Sequence, residues 1–154
     1  MKIIIMRHGQ AAYAGLDRVL TSDGKREAEC TAIKLAARLK ITKVYASPKT
    51  RAQQTAAIVC SKLKGDLYTP ITLPELTPAG NAALALEEIL ATASDDDHIL
   101  LVSHIPLVES LALYLCPGMM PPLFVTAGAL IISQNGELWH PEAFISPSAE
   151  HALT

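Results

Sequence analysis

The chain has few cysteines, and their spacing suits no shared task. Cys30, Cys60 and Cys116 are odd in number and far apart, with no CxxC pair and no zinc-ligand pattern. That excludes a disulfide framework or a zinc module and fits a reducing, cytosolic compartment. The three read as buried core thiols. Lysine and arginine total 13 against 15 acidic residues, for a formal net charge of −2, and no basic run occurs. Nucleic acid and anionic membrane both demand concentrated positive charge, so neither is expected as the main partner. No long unbroken apolar run is present either. The stretch HILLVSHIPLVESLALYLC is interrupted by His104, Pro106 and Glu109, whereas a membrane helix needs about 20 mainly apolar residues. The apolar start is too short for a secretory signal and runs into Arg7 and His8 where a cleavage site needs small residues. Repeats, low-complexity tracts and linkers are missing. The expectation is a soluble cytoplasmic protein, monomeric by default, since no spare apolar helix face remains.

What is present is a chain of 154 residues, 50% of them apolar, enough for one domain over residues 1–154 with a full core. Lys2–Met6 reads as a short buried strand. After a polar loop, TSDGKREAECTAIKLAARL places Ala28, Ala32, Leu35, Ala36 and Leu39 on one helix face, with Thr21 or Ser22 as cap. Val44–Ala46 is a second strand. SPKTRAQQTAAIVCSKL is a second helix, with Ser47 as N-cap, Pro48 as first helical residue, and Ala52, Ala56, Val59 and Leu63 inward. Thr69–Leu73 reads as a short strand, and Thr77-Pro78 opens a helix with the stripe Ala82, Leu86, Ile89, Leu90 and Ala93. The acidic run Asp95–Asp97 reads as a solvated turn. HILLVS is a further strand, followed by a helix from about Pro106 with Val108, Leu111, Ala112 and Leu115 inward. PGMMPP is a loop, and FVTAGALIIS and the residues around Leu138–Trp139 read as closing strands. Strands alternating with helices predict an α/β domain with a mostly parallel sheet and right-handed crossovers.

Three of these strands end on polar residues. The first delivers Arg7, His8 and Gly9, the second Ser47 and, a turn later, Arg51, and the third Ser103 and His104. In open α/β sheets ligands bind beyond the carboxyl ends of the strands. If the three strands are parallel neighbours, two arginines and two histidines meet in one pocket. Such a set suits a phosphoryl group. Arginine forks bind phosphate oxygens and remain charged, helix N-termini add N–H groups, and Gly9 lets the backbone approach the ligand closely. A neutral histidine is a competent nucleophile for a covalent intermediate. A second histidine, if protonated, would stabilise charge on the equatorial oxygens. Positioning and electrostatics suffice for phosphoryl transfer here without a metal or other cofactor. A histidine metal site is disfavoured, because no HExxH spacing exists and arginines beside the histidines would repel a cation. His98, His140 and His151 are assigned no role.

MRHGQA, LTSDG, SPKTRAQQTA and VSHIPLV, in that order, resemble the histidine phosphatase superfamily, which includes the cofactor-dependent phosphoglycerate mutases. Within it the chain is similar to the short bacterial phosphohistidine phosphatases. The likeness extends through LPELTPAGN and SHIPLVESLALYLCPGMMPPLFVT to the tail. It implies a three-layer α/β/α sandwich, phosphoglycerate mutase-like, in which His8 is the phosphorylated nucleophile. Arg7, Arg51 and His104 would form the phosphate pocket, and Arg18 would reach it from the loop. The implied substrate is a phosphohistidine on a histidine-containing phosphotransfer domain of a bacterial signalling relay, carried by a sensor kinase or a phosphocarrier protein.

The chain departs from the family pattern in three places. Gln10 stands where relatives often have an acidic residue, the loop from Ala11 to Arg18 is short, and Val19 replaces an expected proline. A neutral Gln10 leaves the pocket more positive. Larger relatives protonate an alcohol leaving group with a carboxylic acid, and the candidate general acid here is Glu75 in LPELTP. A phosphohistidine reduces that need, because imidazole has a pKa near ~6.5 against ~15 or more for an alcohol. Two rival functions remain: a phosphomonoesterase or mutase acting on a small metabolite, and a non-catalytic phosphohistidine-binding module.

Overall fold

The computed structural model describes residues 1–63 and 69–153. The chain forms β1 (Lys2–Arg7), β2 (Ala11–Ala14), β3 (Asp17–Leu20), α1 (Ser22–Arg38), β4 (Lys43–Ala46), α2 (Thr50–Lys62), β5 (Ile71–Thr72), a 3-10 turn at Pro74–Leu76, α3 (Ala82–Ala91), β6 (His98–Ser103), α4 (Leu107–Leu115), β7 (Ala129–Asn135), β8 (Leu138–Ile145) and β9 (Glu150–Ala152). Among the described residues, seven strands make one sheet in the order β5-β4-β6-β1-β7-β8-β9. β5, β4, β6 and β1 run parallel, and β7, β8 and β9 continue the sheet antiparallel.

Alternation along β1 explains its unbroken apolar run. Ile3 and Ile5 pack into a core with Leu86, Ile89, Leu111 and Leu115 of α3 and α4. Ile4 and Met6 face the opposite way, toward Ala32 and Leu35 of α1 and Ala52, Ala56 and Val59 of α2. A strand covered on both faces needs apolar residues at every position. The result is the expected three-layer α/β/α sandwich. No helix among the described residues is long and apolar enough to cross a membrane.

Several local expectations give way to tertiary contacts. Residues 11–20, read as a polar loop, form the hairpin β2–β3. The second helix begins at Thr50 with Lys49 as an uncapped N-cap, so Ser47 and Pro48 lie outside it; the Ser47 hydroxyl is engaged elsewhere. The third helix begins at Ala82, where the Asn81 side chain accepts from the Leu84 N–H, four residues beyond Thr77-Pro78. The first closing strand starts only at Ala129, since residues 121–128 are irregular, with a turn at Thr126–Ala127. Asp97 is buried rather than solvated, accepting from the Ser94 N–H and the Thr42 hydroxyl and pairing with Lys43. Of the three free thiols, Cys116 is buried while Cys30 and Cys60 are half-buried.

Two glycines bring the loop after β1 onto the first turn of α1. A Cβ on Gly9 would lie 2.5 Å from the Gly24 carbonyl oxygen, and one on Gly24 would lie 2.0 Å from the Gln10 carbonyl oxygen. Helix propensity alone makes Gly24→Ala a gain of about 1 kcal/mol. The backbone clash outweighs it, so the variant should lose roughly 1–3 kcal/mol, as overpacked sites do, with catalysis impaired because the displaced loop carries His8. Urea unfolding checks the sign; a stabilised variant would contradict the close packing.

Candidate active site

The register of three adjacent strands sets the site. Arg7 of β1 pairs with Ser103 of β6, and Ala46 of β4 pairs with Val102. The chain leaves all three strands at one level, where the His8 N–H donates to the Ser103 carbonyl and the Ser47 N–H donates to the Val102 carbonyl. The expected meeting therefore occurs: the His8 and His104 rings lie with centroids 5.1 Å apart, with Arg51 close enough to act on both rings and Arg7 on His8.

His8 is 4% exposed. Its Nδ1 is 2.7 Å from the Gly9 carbonyl oxygen. A carbonyl can only accept, so Nδ1 carries the proton and a neutral ring holds its lone pair on Nε2. Burial, reinforced by the charges of Arg51, Arg7 and Arg18 against the opposing Gly9 bond, lowers the His8 pKa to about 4. At neutral pH His8 is thus an uncharged imidazole with a free Nε2, the form a nucleophile requires. His104 is 2% exposed. Burial first, then the neighbouring His8, Arg51, Lys49 and Arg18, lowers its pKa to about 3. The protonated second histidine considered from sequence is accordingly a neutral group before ligand binds.

The arginines keep donors in reserve. Arg7 gives Nη1 to the Phe124 carbonyl at 2.9 Å, and Thr55 anchors the segment carrying Arg51. The Arg7 Nε, the Arg51 Nε and the His104 Nδ1 are all buried without a hydrogen-bond partner. Burial and the nearby Arg18 lower the pKa of both arginines, yet a guanidinium is so weak an acid that they remain charged at any working pH. Unpaired buried donors are costly. Two such arginine donors beside the nucleophile, with the His104 ring facing it, suit an oxyanion with several acceptor oxygens.

Arg18 arrives on β3 of the hairpin, not on a loop. Asp17 accepts from the Thr50 hydroxyl, and the Leu20 N–H donates to Gln54 of α2. The hairpin is thereby held on α2, and the Arg18 charge reaches His8, His104 and both arginines. Asp17 is a carboxylate of this rim, but its bonds from Thr50 and Arg18 depress its pKa, which leaves it ionised and unsuited to protonating a leaving group. Glu75 lies half-buried in the 3-10 turn, whose Leu76 carbonyl accepts from the Ser103 hydroxyl at 2.6 Å. Its turn therefore borders the end of β6. Gln10 turns its amide oxygen to the Thr21 hydroxyl, not to the histidines.

Three supporting contacts come only with the fold. Glu27 of α1 accepts from the Gln10 N–H and from the Thr126 hydroxyl, tying together the loops that follow β1 and precede β7. Buried Thr55 accepts from the Gly9 N–H at 3.1 Å and donates to the Arg51 carbonyl at 2.8 Å. The detectable signal was a threonine inside the apolar stripe of α2. Ser47, already among the polar residues at the strand ends, lies 2.8 Å from the His104 Nε2, a contact that its reading as a helix cap did not contain.

Burying two neutral histidines makes stability pH-dependent. The folded protein binds their protons only near pH 4 and pH 3, whereas the unfolded chain binds them from about pH 6.5. Their contribution is full above that value and is lost as pH falls toward the folded values. The urea midpoint should fall on acidification from pH 6.5 to pH 4, and less steeply in His8→Asn. Equal slopes for the two proteins would contradict a buried neutral His8.

Comparison with known proteins places these residues in context. The profile of the "Histidine phosphatase superfamily (branch 1)" matches residues 3–78. The phosphohistidine phosphatase SixA of Escherichia coli (strain K12) is 39% identical over 134 residues, 82% of this chain and 81% of the relative. The structure of a protein histidine phosphatase SixA complexed with tungstate superposes with a TM-score of 0.87 at 33% identity, covering 96% of this chain and 98% of that one. A SixA structure from Agrobacterium tumefaciens, 23% identical, gives a TM-score of 0.77 over 93% of this chain and 96% of its own, and bears on the fold alone.

Proposed function

The chain belongs to the histidine phosphatase superfamily, and from that premise we propose that it removes phosphate from a phosphohistidine carried by another protein, with His8 as the covalent nucleophile. The Nε2 lone pair of His8 attacks phosphorus in line. The P–N bond of the substrate breaks, its electron pair returning to the departing imidazole, which takes a proton from solvent water. Water then attacks phospho-His8, releasing inorganic phosphate and restoring the neutral ring. Arg7, Arg51 and His104 hold the three equatorial oxygens, with Arg18 adding charge from the hairpin and Gly9 allowing close approach. Phosphoryl transfer asks mainly for such positioning and charge stabilisation.

One observation carries this reading: a neutral His8 with a free Nε2 sits beside the buried, unpaired Nε donors of Arg7 and Arg51 and the unpaired Nδ1 of His104. The likeness to a SixA that binds tungstate, a tetrahedral oxyanion, supports it. A protein-borne substrate is supported by the rim. Tyr13 and Leu16 of the hairpin, Ile105 beside His104, and Leu123 and Val125 flanking the Phe124 carbonyl that holds Arg7 are all exposed. Such side chains suit a protein surface better than a polar metabolite. The proposed source is a histidine-containing phosphotransfer domain of a sensor kinase or a phosphocarrier in the cytoplasm, in keeping with the three free thiols.

The test is a paired assay: a phosphohistidine-bearing phosphotransfer domain and a panel of small phosphate monoesters, offered to the wild type without added metal. Rapid release from the protein substrate and little from the esters is expected. The reverse preference would make this a metabolite phosphatase, and silence on both would leave a binding module. Glu75→Gln refines the outcome. Since imidazole departs with little help, the variant should keep phosphohistidine turnover to within about tenfold, where loss of a working general acid costs roughly 10²–10⁴-fold.

A further inference from the structure

Ser47 is buried, 0% exposed, and every polar atom it has is held. Its N–H donates to the Val102 carbonyl at 3.1 Å, and its carbonyl accepts from the Gln53 amide at 2.8 Å. Its hydroxyl oxygen accepts from the Lys49 N–H at 3.2 Å and lies 2.8 Å from the His104 Nε2. Two proton arrangements are compatible with the last contact. If Nε2–H donated to the hydroxyl oxygen, the Ser47 O–H would need another acceptor, none of which is present among the described residues, and the His104 Nδ1 would be a buried unpaired acceptor. If instead the Ser47 O–H donates to Nε2, every atom of Ser47 is satisfied and one unpaired group remains, the His104 Nδ1–H. Leaving fewer buried polar groups unpaired is the cheaper arrangement.

The difference matters for an anion. Before ligand binds His104 is neutral, so it attracts a phosphate oxygen only through an N–H. An Nδ1–H offers a donor; an Nδ1 lone pair would repel the oxygen. We propose that Ser47 is a positioning residue that holds His104 in its Nδ1–H tautomer, so that the uncharged ring presents a hydrogen-bond donor to the phosphate. This rests on the phosphatase reading for its purpose, but the tautomer is measurable without any turnover. Ser47 thus acts on the substrate only through His104, from the end of β4 beside the end of its neighbour β6.

Long-range proton–nitrogen NMR on the wild-type protein with nitrogen-15-labelled histidine, at pH 7, tests it directly. His104 should show a protonated, pyrrole-type Nδ1 and a lone-pair, pyridine-type Nε2, and titration with inorganic phosphate should move the Nδ1–H resonance. A protonated Nε2 in the wild type would overturn the proposal, whether or not the protein hydrolyses phosphohistidine. In Ser47→Ala the tautomer should shift toward Nε2–H, and phosphate affinity should fall roughly tenfold, the scale of one hydrogen bond to a charged group. The same substitution made in a His104→Gln background should cost less than about twofold, because coupled residues do not add. An undiminished tenfold loss there would show that Ser47 acts independently of His104. Should Ser47→Ala fail to fold, the wild-type spectrum still decides.

Discussion

His8→Ala is expected to leave a folded protein whose phosphohistidine turnover is lower by about 10⁴-fold or more, the scale at which removal of a covalent nucleophile is felt. The fold should survive because the Ile3–Met6 core of β1 does not depend on the imidazole: these four side chains are 0% exposed and pack on both helical layers. The local loss is one hydrogen bond, from the His8 Nδ1 to the Gly9 carbonyl. Phosphate binding should persist in the variant, since Arg7 and Arg51 keep their unpaired donors and His104 stays in the pocket. Circular dichroism and urea unfolding establish folding, and a single-turnover assay measures chemistry. Turnover within tenfold of wild type would remove His8 as the nucleophile and with it the covalent route.

Arg51→Ala is the second large effect. The residue sits in the first turn of α2 and is half-buried, so folding should be little changed, whereas kcat/KM should fall by roughly 10²–10³-fold, as when one donor to a developing oxyanion is removed. Arg51→Lys should recover little of this, because a lysine is a point charge without the planar fork. The loss should coincide with a movement in pH dependence. Arg51 is the largest charge depressing the His8 pKa below its ordinary 6.5. Without it, the acid limb of kcat/KM in the free enzyme should move upward from about pH 4. Unchanged phosphate affinity with an unchanged acid limb would place Arg51 outside the pocket's working groups.

The legible part of this protein is that in which polar residues interrupt apolar patterns. A buried strand that ends in Arg7 and His8, and another that ends in Ser103 and His104, advertise a functional need, because burying such groups costs free energy unless something offsets it. The residues that make these groups work carried a weaker mark or none. Ser47 looked like a helix cap because serine before proline is common there. Its partner His104 is 57 residues away. Thr55 and Glu27 each bridge segments far apart in the chain. Arg18 depended on a hairpin whose first strand, Ala11–Ala14, is mostly exposed and whose second, Asp17–Leu20, is exposed at one end and buried at the other, so neither shows the alternation that identifies a half-buried strand.

By itself, then, the amino-acid order determined the alternating strands and helices, the apolar faces that build two cores around one sheet, and the identity of the four residues at three strand ends. These follow from local periodicity and from the cost of misplaced polarity, both readable over a few residues. Only the tertiary structure decided that Arg7, Ser47 and Ser103 leave the sheet at one level, that both histidines are held neutral, and that the His8 lone pair stands free on Nε2. Those properties arise from register, burial and hydrogen bonds between distant segments, and a side chain's protonation is a property of its surroundings, which exist only once the chain has folded.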